Sequence, residues 1–325
     1  MSNRRKSGKR NSAQIRRSVY DCVGIGICPS DYICLLDRYP GYDEKVVARK
    51  CTHQGGGPVA TAFAALGRWG ARTAVISVIG DDEDGRFVRE QLEADGVDTS
   101  LLRVKKGTGT ARAFILVDVS RGGRTVVLDV TNTPEMKARD IRIKDLPPCR
   151  VFHTDGRDAE ACVKAMRHYR KTGAKVCIDA GSMRRHMDEM IEAATHFVAS
   201  HEFIPQYFGE GVSPEEACRR VLEMGPEAAV VTLGSGGCLG VTGEGAFRIS
   251  GYRKKDFIVD TNGAGDVFHG GYIYGLLQGW DDRECAEYAN AAAFLKCSKP
   301  GGRAGIPRVK DVLALLKENP PRRSS

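Results

Sequence analysis

The chain has 325 residues, of which 42% are hydrophobic, so it can bury a substantial core and is long for one domain. No apolar run approaches the ~20 residues of a membrane-spanning helix, and the N-terminus lacks the apolar core of a secretory signal, so we expect a cytoplasmic protein with no membrane partner. The formal net charge of +8 lies at the chain ends. Without the basic residues of 1–18 and 320–325, the body has 40 Lys/Arg against 41 Asp/Glu, or −1, so nucleic acid is not an expected partner.

The ends and the body of the chain differ in composition. Residues 1–18 hold seven Lys/Arg and no acid, and we expect disordered tails at 1–18 and 320–325 flanking one domain at 19–319. The eleven cysteines include no CxxC pair. This pattern favours free thiols in a reducing compartment over a disulfide framework or a zinc site.

The first apolar run, residues 20–27, predicts a buried strand followed by a loop that contains Asp31. Gly24 and Gly26 are typical of a dinucleotide-binding loop, but Pro29 stands where that motif needs its third glycine. Asp31 is a candidate for binding a polar ligand. Its alternative role is that of an ordinary turn aspartate.

Residues 33–53 alternate between apolar and polar types, which predicts strands that leave the main sheet. The glycines Gly55, Gly56 and Gly57 let the backbone approach a ligand closely. Pro58 then opens a predicted helix at its permitted first-turn position.

The centre of the chain predicts alternating strands and helices. Residues 72–79 form a predicted strand, and the acidic loop 80–85 reads as a helix cap because its spacing does not match a calcium loop. Strand-like runs within 107–130 should pair with those of 33–53. The strand and helix alternation over 151–258 predicts a doubly wound, mostly parallel α/β sheet.

Two later segments are candidates for holding a nucleotide. Thr232, Gly234 and Gly237 follow a predicted strand, where small residues let phosphates and ribose lie against the backbone. A plain β-turn is the alternative. Asn290 lies among alanines on a predicted helix, which would either flank a base or simply pack closely.

The segment 260–266 carries the strongest chemical signal. Gly263, Ala264 and Gly265 allow successive backbone N–H groups to point to one place at the start of an apolar helix, which makes an anion hole. Asp266 on the first turn would repel a resting phosphate, so it is a candidate base for an attacking hydroxyl. The alternative is a glycine-rich turn in which Asp266 only caps the helix.

These motifs together resemble the PfkB, or ribokinase-like, carbohydrate kinases, and the likeness runs from about residue 20 to residue 307. The resemblance implies a ribokinase-like α/β/α fold with a small β-sheet lid, inserted near 33–53 and 107–130, through which two copies form a homodimer. It also implies that Asp266 is the catalytic base, that Asp31 binds sugar hydroxyls, and that ATP and Mg²⁺ are the cofactors.

The chain departs from the family pattern at two places. Ala60 stands where ribokinase has an asparagine for the sugar. An NxxE motif that organises Mg²⁺ is absent, and its place matches residues 201–204, where Glu202 would hold the metal through water.

The resemblance also implies a monovalent cation, K⁺, beside the anion hole. Asp260, Thr261 and the carbonyls of 300–302 match the places that surround it in the family. The alternative is a buried Asp260 capped by neighbouring amides.

A narrower resemblance concerns the substrate. The segments 266–270, 294–297 and 300–307 are similar to the sulfofructose kinase branch and its ketohexokinase-like relatives. By that likeness Lys45, Asp129 and Arg157 occupy the places of a lysine, an asparagine and an arginine that bind a sulfonate. Because a carboxylate at position 129 would repel an anion unless it is paired, and a small shift would bring Asn132 there instead, both an anionic and a neutral ketose stay open.

The sequence therefore predicts an ATP-dependent sugar kinase that acts on a ketose-type sugar, sulfofructose-like or fructose- and ribose-like. One alternative is a catalytically weak sugar or nucleotide sensor of the same fold, suggested by the missing NxxE motif and Ala60. Another is a dinucleotide-dependent oxidoreductase.

Overall fold

Two β-sheets organise residues 19–120, 123–254 and 257–319, which the computed structural model of this protein describes. The predicted tails 1–18 and 320–325 lie outside these residues. The strands are β1 (Tyr20–Ile25), β2 (Ser30–Leu36), β3 (Lys50–Gly55), β4 (Thr73–Gly80), β5 (Val97–Asp98), β6 (Leu102–Lys105), β7 (Arg112–Asp118), β8 (Gly123–Asp129), β9 (Cys149–Thr154), β10 (Lys175–Ala180), β11 (His196–Ser200), β12 (Ala228–Thr232), β13 (Gly237–Thr242) and β14 (Gly245–Ser250).

The helices alternate with these strands along most of the chain. They are α1 (Pro58–Arg68), α2 (Glu83–Ala94), α3 (Ala159–Lys171), α4 (Met187–Ala193), α5 (Phe203–Phe208), α6 (Pro214–Glu223), α7 (Ala264–Gln278), α8 (Asp282–Lys296) and α9 (Val309–Glu318). None of the helices in the described part of the chain is both long enough and apolar enough to cross a bilayer.

The large sheet has the order β14-β13-β12-β11-β10-β9-β1-β4-β5, with β6 also paired to β4. All of its pairs are parallel except β12–β13 and β13–β14, which form an antiparallel end. Successive residues of β10 enter different cores: Val176 and Ile178 join one buried cluster, and Cys177 joins the other. Helices therefore cover both faces, and the prediction of a doubly wound, mostly parallel sheet is confirmed.

The small sheet has the order β3-β2-β7-β8 and stands apart from the large one. One of its faces carries Asp31, Ile33 and Ile115, because Ile33 lies opposite Ile115 and every second residue shares a face. The other face contacts α2, where the ring of His53 stacks on Phe87 at 3.8 Å. The alternation predicted for 33–53 thus reflects a sheet with two different faces.

One expectation about the cysteines is wrong. Cys34 of β2 lies directly opposite Cys51 of β3, and the two form a disulfide. The other nine cysteines are free, as predicted. Strand pairing joins Cys34 and Cys51, which are 17 residues apart, and cysteine spacing alone cannot show that register.

Candidate active site

The site is built around the N-terminus of α7. Gly263 caps the helix with a left-handed backbone (φ +75°), and a Cβ there would lie 2.7 Å from the Cα of Gly302. The N–H of Ala264 donates to the carbonyl of Thr261, whereas the N–H groups of Gly265 and Asp266 have no acceptor within the helix by helix geometry. Among the described residues, no neighbouring atom lies within 4 Å of a Cβ placed on Gly265, so there is an opening beside this first turn of α7.

Asp266 lies half-buried beside that opening. Burial and the nearby Asp179 carboxylate raise the pKa of Asp266 to about 6, while the positive charges of His269, Arg124 and Lys296 oppose that rise. A carboxyl group with a pKa near 6 is ionised at neutral pH and is a stronger base than an ordinary aspartate. Its geometry and its basicity both suit proton removal from a hydroxyl.

An ion pair lies behind Asp266, one helical turn along α7. The Nε2 atom of His269 lies 3.2 Å from Oδ1 of Asp179 at the end of β10. Burial opposes the charge on both groups, but their mutual attraction keeps the pKa of His269 raised and that of Asp179 lowered. Burial lowers the pKa of the adjacent His153 to about 3, so this ring is neutral.

Asp31 lies in β2 of the small sheet and not in a loop as predicted, and it is close enough to Asp266 to feel the charge of that carboxylate. Its side chain is only 6% exposed, and Oδ1 has no hydrogen-bond partner among the described residues. Burial raises the pKa of Asp31 to about 7; the Arg303 charge opposes this and the Asp266 carboxylate adds to it. A Cβ on Gly56 would overlap the Asp31 carboxyl group, so this position requires glycine. An unpartnered buried oxygen is a natural acceptor for a ligand hydroxyl.

Arg303 supports the glycine loop, and the sequence motifs did not assign it a role. Its buried guanidinium donates from Nη2 to the carbonyl of Gly56 at 3.0 Å and lies 3.5 Å from the Asp95 carboxylate. A Cβ on Gly55 would lie 2.8 Å from Nη1. The only sequence signal for Arg303 itself was its place within the segment 300–307, which is a mark of the family resemblance.

Each oxygen of Asp260 accepts a hydrogen bond within the protein. Its carboxylate accepts the N–H of Asn262 at 2.8 Å on Oδ1 and the N–H of Gly301 at 2.7 Å on Oδ2. The carbonyl of Asp260 accepts a hydrogen bond from Nζ of the buried Lys296 at 3.0 Å. Burial lowers the pKa of Lys296, and the Asp260 carboxylate opposes that decrease. These contacts agree with the alternative in which neighbouring amides cap Asp260.

The residues predicted to bind the nucleotide lie near the carboxyl end of β12 in the large sheet. Thr232 ends β12, and Gly234 follows in a left-handed conformation (φ +55°) with open space beside it. Gly237 also has a positive φ, and a Cβ there would overlap the carbonyl of Ile249. The amide of Asn290 donates to the carbonyl of Ser250 at 3.0 Å. Asn290 therefore fixes the end of β14 beside the 234–237 turn.

The remaining predicted residues are spread more widely. Arg157 lines a cavity of about 420 Å³ at the carboxyl ends of the strands, together with Asp158 and Arg184. Lys45 lies exposed between β2 and β3 and is not among the described residues that line this cavity. Glu202 lies exposed just after β11, and its carboxylate is 3.2 Å from Nδ1 of His201.

Two arginines that the sequence motifs did not indicate also belong to the site. Arg184 lines the same cavity as Arg157, and its buried Nε has no hydrogen-bond partner among the described residues. Arg124 of β8 lies opposite Val117, on the face of the small sheet that carries Asp31. No short motif surrounds either arginine, so only the folded chain shows where they lie.

Comparisons with known proteins agree with this geometry. The family model described as pfkB family carbohydrate kinase matches residues 20–308. An uncharacterized sugar kinase of Archaeoglobus fulgidus is 29% identical over 76% of this chain and 99% of its own length. Mouse ketohexokinase is 26% identical over 86% of this chain and 96% of its own length. The structure of Arabidopsis thaliana ribokinase complexed with ribose and ATP superposes with a TM-score of 0.79 at 21% identity, covering 92% of this chain and 99% of that one.

The match to the family model covers nearly the whole of the described chain, and the structural neighbour confirms the ribokinase-like fold. The prediction of a phosphotransferase with an alcohol group as acceptor is confirmed at the level of the family. This chain belongs to the pfkB family of carbohydrate kinases.

Proposed function

We propose that this kinase transfers the γ-phosphoryl group of ATP to a hydroxyl of a ketose-type sugar. The observation that carries the proposal is the pair of carboxyl groups Asp31 and Asp266: Asp266 lies on the first turn of α7, close enough to Asp31 that its carboxylate raises the cost of ionising Asp31. One carboxyl group orients the sugar and the other removes a proton. The adjacent helix N-terminus receives the phosphoryl group.

Each group has a defined step. Asp31 accepts hydrogen bonds from sugar hydroxyls, with Gly55, Gly56 and Gly57 giving the sugar access to the backbone. Asp266 takes the proton of the attacking hydroxyl as the hydroxyl oxygen bonds to the γ-phosphorus. The bond from that phosphorus to the bridging oxygen of the β-phosphate breaks at the same time, and ADP leaves. The N–H groups of Gly265 and Asp266 then stabilise the charge on the transferred group, whereas the predicted Ala264 N–H already donates to the carbonyl of Thr261.

The nucleotide is assigned to the carboxyl edge near β12. Support comes from Thr232, Gly234 and Gly237, where the turn is open, and from Asn290, which holds the neighbouring strand end. Support also comes from a structural neighbour, since the Arabidopsis ribokinase was solved in complex with ribose and ATP.

Mg²⁺ bound with ATP would neutralise the charge of the phosphates in this proposal. No cluster of three or more His, Cys, Asp or Glu suited to a metal occurs in the described parts of the chain. That fits Mg²⁺, which binds through phosphates, waters and one or two carboxylates. Glu202 is the carboxylate that would contact the metal through water.

The distal end of the sugar faces the cavity with Arg157 and Arg184. Arg185 on its rim is paired with Glu135 at 3.0 Å, whereas burial and the Asp155 carboxylate raise the pKa of Asp158 to about 7 and so weaken its charge. The net charge of the residues that line the cavity is therefore positive. It supports an anionic ketose such as sulfofructose over a neutral ketose, with Arg157 rather than the exposed Lys45 as the main contact.

The test is a substrate panel. We expect kcat/KM for sulfofructose or fructose 6-phosphate to exceed that for fructose and ribose by about tenfold, and Arg157→Ala to remove most of that preference. A preference for neutral fructose or ribose that Arg157→Ala leaves unchanged would contradict the anionic substrate.

Two further parts of the proposal concern the whole protein. A homodimer through the small sheet is supported by the exposed apolar side chains of Phe114, Val126 and Val127, and a monomeric mass in sedimentation would contradict it. A cytoplasmic location is supported by the nine free thiols. Recovery of the protein outside the cytoplasmic fraction of cells would contradict that location.

A further inference from the structure

Three segments meet beneath the anion-binding end of α7. They are the loop that contains Asp260, the C-terminal residue of α8, Lys296, and the turn at Gly301. Asp260 and Lys296 are both buried. The Asp260 carboxylate fixes the turn through the Gly301 N–H, and the Lys296 ammonium fixes the Asp260 carbonyl, so one residue ties all three segments.

The oxygens of Asp260 do not match what a bound K⁺ requires. A monovalent cation replaces its hydration shell with several oxygens that are free to face it. Both carboxylate oxygens of Asp260 already accept backbone hydrogen bonds, and its carbonyl already faces an ammonium group. No atom of Asp260 or Lys296 is among the buried polar groups without a partner in the described chain.

The charges lead to the same result. One buried carboxylate and one buried ammonium balance each other, so the cluster is neutral without any ion. A K⁺ ion placed beside Lys296 would be a second, unmatched positive charge in a buried place, which is strongly unfavourable. The Asp266 carboxylate is the other negative charge near Lys296, and Arg124 already offsets it from the small sheet.

We propose that the ammonium group of Lys296 takes the place of a monovalent cation in this kinase and holds the loop that shapes the anion hole. Lys296 is then a positioning residue, which acts through Asp260 and the α7 N-terminus. Its backbone is fixed as well, because a Cβ on Gly305 would overlap the Lys296 carbonyl. The consequence is a kinase that works without K⁺.

The first test compares the wild-type protein in KCl, NaCl and tetramethylammonium chloride at equal ionic strength. We expect the thermal unfolding midpoint to be the same in all three salts and kcat to vary by less than about twofold. A midpoint raised specifically by K⁺, or stimulation of kcat by about tenfold or more, would overturn the proposal. The midpoint decides even if no sugar of the panel is phosphorylated, so this test is separate from that of the kinase proposal.

The second test removes the ammonium group. In tetramethylammonium chloride, Lys296→Met should lower kcat by about tenfold or more, with little change in KM. The control is Lys310→Met at an exposed lysine of α9, which should behave as wild type.

Small cations distinguish a charge effect from a packing effect. About 0.1 M K⁺ or ammonium should recover part of the activity of Lys296→Met and raise its unfolding midpoint, because these ions are small enough to replace the lost group. Full activity of the variant in tetramethylammonium, or a loss that no small cation restores, would contradict a cation role for Lys296. If the variant does not fold, the wild-type salt comparison decides alone.

Discussion

Asp31 and Asp266 are both aspartates at one opening, yet their surroundings give them different tasks. Asp31 is almost fully buried, and its pKa is raised to about 7, whereas Asp266 lies at a helix N-terminus among three positive charges and has a pKa of about 6. The two titrations are coupled because each carboxylate disfavours the other. Hydrogen bonds donated by sugar hydroxyls would stabilise the ionised form of Asp31 and so lower its pKa.

The raised pKa of Asp31 makes a prediction about stability. Since the folded protein holds the Asp31 proton more tightly than the unfolded chain, the free energy of unfolding falls as pH rises from about 4 to about 7. Asp31→Asn removes this loss. We expect the variant to be more stable than wild type at pH 8 by roughly 1–4 kcal/mol, and not at pH 4, while its KM for sugar rises.

Denaturant unfolding at both pH values measures this difference directly. An Asp31→Asn variant whose stability relative to wild type is the same at pH 4 and pH 8 would show that Asp31 ionises freely in the folded protein.

The His269–Asp179 pair makes a prediction about the pH profile. Removing the His269 charge leaves Asp179 uncompensated beside Asp266, and both effects raise the pKa of Asp266. We expect His269→Asn to move the acid limb of kcat/KM from near pH 6 to higher pH by roughly 0.5–1 unit. The other charged groups near Asp266, namely Asp31, Arg124 and Lys296, are unchanged.

Asp179→Asn is the matched comparison. This substitution removes the Asp179 carboxylate. Because that carboxylate is what raises the pKa of His269, much of the positive charge on His269 is lost as well. We expect a smaller shift of the acid limb than with His269→Asn. Equal profiles for wild type and His269→Asn would mean that the ion pair has no influence on the base.

At the scale of elements, two glycines of one loop have opposite roles. Gly263 needs its left-handed backbone and its contact with Gly302, whereas Gly265 has open space beside it. Gly263→Ala should lower the free energy of unfolding by about 1–2 kcal/mol or more. Gly265→Ala should leave stability unchanged or slightly increased, because alanine favours helix, yet it should lower kcat since the new methyl group enters the space for the phosphoryl group.

Unfolding and kcat measured on both variants separate the two roles. A Gly265→Ala variant with normal kcat would show that the phosphoryl group does not approach this turn.

Element boundaries were predictable where local chemistry sets them. Pro58 opens α1 as expected, and β4 matches its prediction of 72–79 within one residue at each end. The acidic loop expected over 80–85 is shorter than predicted, because α2 already begins at Glu83, where Asp82 caps it through the N–H of Gly85. The acidic loop was recognised as a cap, but the residue at which the helix begins depends on which aspartate bonds to the backbone.

At the scale of the molecule, the unpredicted features all join distant parts of the chain. Lys296 contacts Asp260, Arg303 contacts Gly56, and Cys34 bonds to Cys51. Such contacts depend on the order of strands and on how α8 ends against the loop before α7. The glycine and aspartate motifs were visible because their function is local: each needs its residue types within one turn. The motif at 260–266 cannot show that Lys296, more than thirty residues away, donates a hydrogen bond to Asp260.

The account depends most on Asp266 as the base of phosphoryl transfer. The direct measurement is kcat of Asp266→Asn with the preferred sugar, together with the Kd for ATP. We predict a loss of at least ~10²-fold in kcat with ATP affinity and unfolding midpoint close to wild type, because only proton removal is lost. The control is Asp43→Asn. Asp43 is exposed and has a left-handed backbone, which asparagine also tolerates, so this variant should keep normal turnover. Near-normal kcat in Asp266→Asn would contradict the assignment.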